Sequence, residues 1–261
     1  MSEFPTLEPI NPLSLRSRRI LVTGAASGIG RATCELLVRL QAKVVAVDID
    51  ETELTAVAAG LPGEGHAQFS FDLSDVDGIP ALMTKIARDG GPLFGVVHAA
   101  GISCVQPVRL LTTAVYRKVL LVNTEAALAL ARGFQQKTVG ESGGGSIVFI
   151  SSVMALAGEP GAAAYSLSKA ALHGLARSLA IELAPRKIRV NCVAPGFVRT
   201  PMFAQISKPW DAAQRAGVEA SHPLGLGAPA DVANSIAFLL AETGRWITGS
   251  VLVVDGGYTA H

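Results

Sequence analysis

The sequence predicts one doubly wound α/β domain, with a seven-stranded, mostly parallel sheet covered by helices on both faces. Short apolar runs alternate with longer helical patterns, the order of βαβ units with right-handed crossovers. Several runs are apolar at consecutive positions, as strands buried on both faces are. No repeat or linker divides the 261 residues, of which 49% are hydrophobic and 16% charged, enough apolar material for one large core.

The first strand, 20–22, is the Ile-Leu-Val run before Thr23-Gly24. A helix over 28–41 follows, and the Val-Val-Ala-Val strand 44–47 ends at Asp48. Next come a helix over 51–59, a short strand 69–71 ending at Asp72, a helix over 77–89 and a strand 95–99. A long helix over 114–136 leads through the Gly143-Gly144-Gly145 turn to the strand 146–150. The helix 162–184 is Ala- and Leu-rich, and the strand 188–193 succeeds it. A helix over 230–240 and the strand 251–254 close the domain. Two stretches break the alternation. Residues 1–15 are a Pro-punctuated arm ahead of the domain at 16–261. Residues 196–226 are a long excursion after a strand end, where a substrate loop or lid is expected.

The junction of the first strand and helix is Thr23-Gly24-Ala25-Ala26-Ser27-Gly28-Ile29-Gly30. Glycines there let the backbone approach a pyrophosphate, and the following helix N-terminus offers free N–H groups and a positive dipole end. The spacing is G-x-x-x-G-x-G, not the common G-x-G-x-x-G, and a Gly-rich turn alone is also how a plain tight turn reads. Its place between strand and helix favours a Rossmann-type dinucleotide site. Asp48 ends the second strand, with Ile49 beside it; an acid there accepts from adenosine ribose hydroxyls and repels a 2′-phosphate, so NAD(H) is expected over NADP(H). As an isolated residue Asp48 also reads as a turn or helix-capping aspartate. Asp72-Leu73, at the end of the third strand, is placed to hold the adenine edge.

The chemistry is read from the fifth strand and the helix after it. Ser151-Ser152 closes that strand; Tyr165 follows, and Lys169 lies four residues on. Positions i and i+4 share a helix face, which brings the ammonium near the phenol. A free phenol has a pKa of about 10, and bringing it to about 7 takes about 4 kcal/mol. Lys169 and the positive nicotinamide of NAD⁺ are the cations that would supply it. Ser152 would hold the substrate oxygen while Tyr165 handles the proton. A bare Y-x-x-x-K is more often an exposed helix pair; the strand-end serine and the glycine turn decide for the catalytic reading.

These pieces together resemble the short-chain dehydrogenase/reductase family, from about Arg18 to Tyr258. The matching segments are TGAASGIG (23–30), Asp48, DL (72–73), the AAG of HAAG (98–101), the Asn of LVNT (121–124), ISS (150–152), YSLSK (165–169), NCVAPG (191–196), Thr200 and VDGG (254–257). The resemblance implies that Asn123 joins Ser152, Tyr165 and Lys169 as the fourth catalytic residue, holding a water that links Lys169 to solvent. It implies cofactor contacts from Ala99, Ala100 and Gly101, from Pro195 and Gly196, and from Val198 and Thr200 at the nicotinamide carboxamide. It also implies a homotetramer built on the two long helices. One departure stands out: His98-Ala99 replaces the family's Asn-Asn, with the expected effect on local stability more than on chemistry.

Ser103, Val153, Met154, Phe197, Met202, Phe203 and Trp210 are the candidate pocket residues, and their apolar character points to a moderately hydrophobic secondary alcohol or ketone. The nearest rival is an NADPH-dependent 3-oxoacyl-thioester reductase that docks an acidic carrier protein. Arg186-Lys187 suits one docking position, the neutral 143–145 turn does not suit the other, and Asp48 opposes NADPH. A non-catalytic NAD-sensing scaffold would tend to lose Tyr165 or Lys169, and a serine hydrolase would show a G-x-S-x-G elbow between a strand and a helix, whereas the one such spacing here, Gly140-Glu141-Ser142-Gly143-Gly144, falls in the turn between a helix and a strand. A net charge of +1 with dispersed charges makes nucleic acid or an anionic membrane an unexpected partner. No apolar stretch reaches bilayer length, and residues 1–19 lack a signal-type apolar core, so a cytoplasmic location is expected. Cys34, Cys104 and Cys192 lack C-x-x-C spacing and the five histidines do not cluster, so reduced thiols and no metal are expected.

Overall fold

The computed structural model describes residues 11–260. Residues 1–10 of the N-terminal arm and His261 lie outside the described residues. Seven strands form one sheet in the order β3-β2-β1-β4-β5-β6-β7. They are β1 (Arg19–Thr23), β2 (Lys43–Asp48), β3 (Ala67–Ser70), β4 (Gly95–His98), β5 (Gly145–Ile150), β6 (Ile188–Pro195) and β7 (Val251–Val254). Every ladder is parallel.

Consecutive apolar residues are needed because alternate side chains enter different cores. Leu21, Val45 and Val47 pack with α3 (Ile79–Gly90), α5 (Ala126–Phe134) and α6 (Ala163–Leu183) through Met83, Leu130 and Leu172. Ile20, Val22, Val44 and Ala46 face the other way, onto α1 (Gly28–Arg39) and α9 (Pro229–Leu240) through Leu37 and Ile236. Between these lie α2 (Glu51–Gly60) and α4 (Thr113–Leu120). Leu15, in the arm, is buried, and its N–H donates to the Leu40 carbonyl at 2.8 Å.

Three elements differ from the sequence reading. The third strand is Ala67–Ser70, ending before Phe71 and Asp72. The helix expected over 114–136 is broken into α4 and α5 by a π turn, Leu121–Glu125, which carries Asn123. The excursion 196–226 contains two helices, α7 (Pro201–Ile206) and α8 (Ala212–Ala220). Thr200 caps α7 by accepting from the Phe203 N–H, and Asp211 and Gln214 form a capping box on α8.

Strand order reverses between β1 and β4, so crossovers leave in opposite directions there and a crevice opens at the strand carboxyl ends. Thr23, His98, Ile150 and Pro195 terminate the four strands that border it. Among the described residues, no helix is long and apolar enough to cross a membrane, and no three His, Cys, Asp or Glu side chains are placed to hold a metal ion.

Candidate active site

The glycine turn leaves β1 at Thr23 and enters α1 at Gly28. Gly28 has φ +52°, a left-handed conformation that side chains disfavour, and a Cβ there would meet Thr200 Cγ2 at 3.2 Å. A Cβ at Gly30 would lie 2.0 Å from the Gly24 carbonyl oxygen, so the helix sits on the turn only because none is present. Ser27 is the extended N-cap, yet its side chain makes no capping bond. The first N–H groups of α1 thus have no acceptor from the helix or from Ser27. A turn that lacks Cβ atoms at Gly24, Gly28 and Gly30, beside unpaired donors at a positive dipole end, fits a dinucleotide pyrophosphate.

Asp48 ends β2 beside this turn. One carboxylate oxygen accepts from Ala26 N–H at 2.9 Å, the other from Asp50 N–H at 3.1 Å, which leaves acceptor capacity on both. Ile49 is exposed next to it. Asp72 accepts from Ser74 N–H at 2.8 Å, and that bond holds its carboxyl below the usual range; Leu73 is buried in the core. Neither lines the cavity described next.

That cavity, of about 540 Å³, opens at the strand ends. Ile29, Ala99, Gly101, Pro195, Gly196, Val198 and Thr200 line one part, with Ser152, Tyr165 and Lys169 among them. Thr23, Gly24, Ser27, Gly28, Gly30 and Asp48 form the adjoining turn and strand end. Lys169 is buried; its Nζ donates to the Ile150 carbonyl at 2.7 Å and stands 5.7 Å from the centre of the Tyr165 ring. A Cβ on Gly101 would meet Asn123 Oδ1 at 3.1 Å and Lys169 Nζ at 3.2 Å, so all three converge. Ser151 donates to the Lys169 carbonyl at 3.1 Å and pairs with His173 Nε2 at 2.7 Å, bracing the α6 turn that carries the lysine.

From the protein's own groups, the Tyr165 phenol is pushed up to about 12 by burial, against a smaller opposing contribution from the Ser152 hydroxyl. Burial also brings Lys169 down to about 8. The sequence reading assigns the lowering of the phenol to Lys169 together with the positive nicotinamide of a bound cofactor; among the protein's own groups, desolvation dominates. Asn123 is buried, and its side chain is committed. Oδ1 accepts from Ile102 N–H at 2.8 Å, while Nδ2 donates to the Ile102 carbonyl at 3.0 Å and to Ser168 Oγ at 2.9 Å.

The far wall is apolar and aromatic. The Phe197 ring lies edge-to-face with Phe203 at 6.0 Å, Trp210 at 6.3 Å and Tyr258 at 5.9 Å. Ser103, Val153, Met154 and Met202 complete the set expected from sequence, and all line the cavity.

A family model described as enoyl-(acyl carrier protein) reductase matches residues 24–259. The chain belongs to the short-chain dehydrogenase/reductase family. Curated relatives include a cis-4-hydroxycyclohexanecarboxylate dehydrogenase of Sinomonas cyclohexanicum, 38% identical over 247 residues, covering 93% of this chain and 97% of the relative. A 3-oxoacyl-[acyl-carrier-protein] reductase of Escherichia coli is 33% identical over 246 residues, covering 94% and 98%. Among solved structures, a protein provisionally assigned as an NAD(P)-dependent gluconate 5-dehydrogenase from Beutenbergia cavernae, with NADP bound at low occupancy, superposes with a TM-score of 0.88 at 34% identity, covering 96% of this chain and all of that one. This short-chain dehydrogenase/reductase is therefore an oxidoreductase that uses a nicotinamide cofactor.

Its departure at His98 has a structural meaning. His98 is fully buried, and Nδ1 meets Thr23 Oγ1 at 3.0 Å. Thr23 Oγ1 also accepts from Ala100 N–H at 3.2 Å, which ties the imidazole to the turn after β4. Nε2 is the one buried side-chain nitrogen or oxygen without a hydrogen-bond partner among the described residues, and it faces the Val122 and Asn123 carbonyls of the π turn. Burial, with Lys169 adding to it, brings this imidazole down to about 3. Sequence reasoning missed Tyr258, Glu159 and Val218 in the cavity wall of this dehydrogenase/reductase, and missed His222 behind it. Tyr258 could have been found from its place directly after Val254-Asp255-Gly256-Gly257; the others carry no sequence signal.

Proposed function

We propose that the protein interconverts a secondary alcohol and a ketone with NAD(H), with Tyr165 as the proton-transfer group. The observation that carries this is the convergence of a buried ammonium, a half-buried phenol and Ser152 on one wall of a cavity entered beside the glycine turn. When bound, the cofactor supplies the hydride acceptor or donor and, oxidised, a positive charge near the phenol. The α1 N-terminus and glycine turn would hold its pyrophosphate, Asp48 and Ile49 its adenosine ribose, Asp72 and Leu73 its adenine edge, and Val198 and Thr200 its carboxamide.

In oxidation Tyr165 takes the alcohol proton as the carbinol C–H leaves as hydride; in reduction it returns the proton to the carbonyl oxygen. Ser152 orients that oxygen. Lys169, fixed by the Ile150 carbonyl, favours the phenolate, and burial makes each opposite charge near the phenol count for more. Asn123 holds Ile102 and Ser168 in place; a relay water would use the remaining lone pair of its Oδ1 or its backbone carbonyl. Leu128 on α5 and Leu167 and Ile181 on α6 are exposed, which fits a homotetramer assembled through those helices.

The reading is tested by following nicotinamide absorbance with a panel of secondary alcohols and ketones. Turnover with NAD(H), and weaker turnover with NADP(H), is the expected result; turnover with neither cofactor refutes it. The likeness to the Escherichia coli 3-oxoacyl reductase favours a second reading, reduction of an acyl thioester with NADPH. A preference for NADPH and acyl thioesters in the same panel would establish that reading instead.

A further inference from the structure

The cavity also limits the charge of its substrate. Among the described residues lining it, Lys169 is the one cation, and it stands on the side of the phenol with its Nζ already donating to Ile150. The opposite wall offers Phe197, Met202, Phe203, Trp210 and Tyr258, with no arginine or second lysine. Glu159 is the one carboxylate in the lining, and it is exposed. Its backbone carbonyl accepts from Ala162 N–H at 3.1 Å in the turn that leads into α6, and the neighbouring Gly161 carbonyl accepts from Gln106 N–H at 2.8 Å. The residue is thus held at the mouth by two loops. No ion pair occupies its carboxylate among the described residues. Glu159 and Tyr258 both line the cavity, and burial and, after it, the charge of Glu159 push the Tyr258 phenol upward.

We propose that the substrate is an uncharged alcohol or ketone with a hydrocarbon body, and that Glu159 at the mouth selects against anionic counterparts. A carboxylate carried into this wall would lose its hydration without gaining a cation, which is costly, and would pass a like charge on the way. A neutral hydrocarbon ring instead meets aromatic edges and methionine thioethers. The inference rests on the dehydrogenase reading and sets this chain apart from the Sinomonas relative, whose substrate is a hydroxycyclohexanecarboxylate.

The test compares 4-hydroxycyclohexanecarboxylate with its methyl ester and with 4-ethylcyclohexanol under NAD⁺, in the wild type and in Glu159→Gln. The ester and the ethyl compound should exceed the carboxylate by about tenfold or more in kcat/KM, and the variant should narrow that gap by about threefold. Equal or better use of the carboxylate overturns the proposal; an unchanged gap in Glu159→Gln overturns the assignment to that residue. Binding gives a second readout that needs no turnover. The chain has two tryptophans, and replacing the exposed Trp246 by phenylalanine leaves Trp210 as the sole reporter. The ester of 4-oxocyclohexanecarboxylate should perturb Trp210 fluorescence at about a tenth of the concentration the free carboxylate needs. Selective binding of the ester without turnover of any alcohol sinks the dehydrogenase reading and leaves the inference standing; equal binding sinks the inference.

Discussion

His98 is the residue whose replacement separates stability from chemistry. Leucine there would leave the Thr23 hydroxyl facing hydrocarbon, at a cost of about 1–3 kcal/mol. Asparagine keeps a polar partner and should cost less, with both variants retaining turnover; urea unfolding and a coupled kinetic assay check this. The imidazole titrates near 6.5 when unfolded and near 3 when folded. The unfolded chain holds the extra proton between those values, so stability falls as pH drops from about 6.5 towards 3, by at most about 1.4 kcal/mol per pH unit from this group. His98→Asn should show a shallower decline than wild type across pH 7 to 5, and parallel declines would contradict the assignment. Asp48→Asn preserves an acceptor for Ala26 N–H while removing the charge. The ratio of NADP⁺ to NAD⁺ efficiency should then rise by about tenfold, and a ratio that stays constant would remove Asp48 as the discriminating group.

Elements with strong periodic patterns were legible, and those defined by local hydrogen bonding were not. The buried strands of β1 and β2 announce themselves because each consecutive side chain enters a core. The π turn at Asn123 leaves no mark: one wider turn inside an apolar helix changes the phase without changing residue type. The short helices α7 and α8 were hidden because six and nine residues give little periodicity, although Pro201 and the Asp211-Gln214 box announce their starts. What pins this excursion over the cavity was not legible either. His222 accepts from Phe197 N–H through Nε2 at 3.2 Å and donates from Nδ1 to the Val218 carbonyl at 2.7 Å, with the Tyr258 ring 4.9 Å away. His222→Ala should cost about 1–2 kcal/mol and raise KM severalfold with a smaller change in kcat. Steady-state kinetics that show an unchanged KM would mean that α8 does not shape the pocket.

At the scale of the whole molecule, sheet order and the placement of the proposed site are one property. The reversal between β1 and β4 opens the crevice, and the helix following β5 delivers Tyr165 and Lys169 to it. That much was readable from motif order along the chain; the charge balance of the cavity was not, because Glu159, Trp210 and Tyr258 meet only through folding. The proposed homotetramer would give four times the monomer mass in sedimentation equilibrium, and Ile181→Glu, on the exposed face of α6, should shift the assembly toward smaller species. A monomeric wild type at micromolar concentration would refute that assembly. The most direct test of the site is Tyr165→Phe, which deletes one oxygen from a half-buried ring and leaves its packing on Val153, Met154 and Ala162 unchanged. With far-UV circular dichroism and NAD⁺ affinity preserved, kcat/KM for alcohol oxidation should fall by about a thousandfold or more. Turnover within about threefold of wild type would show that the proton leaves by another group.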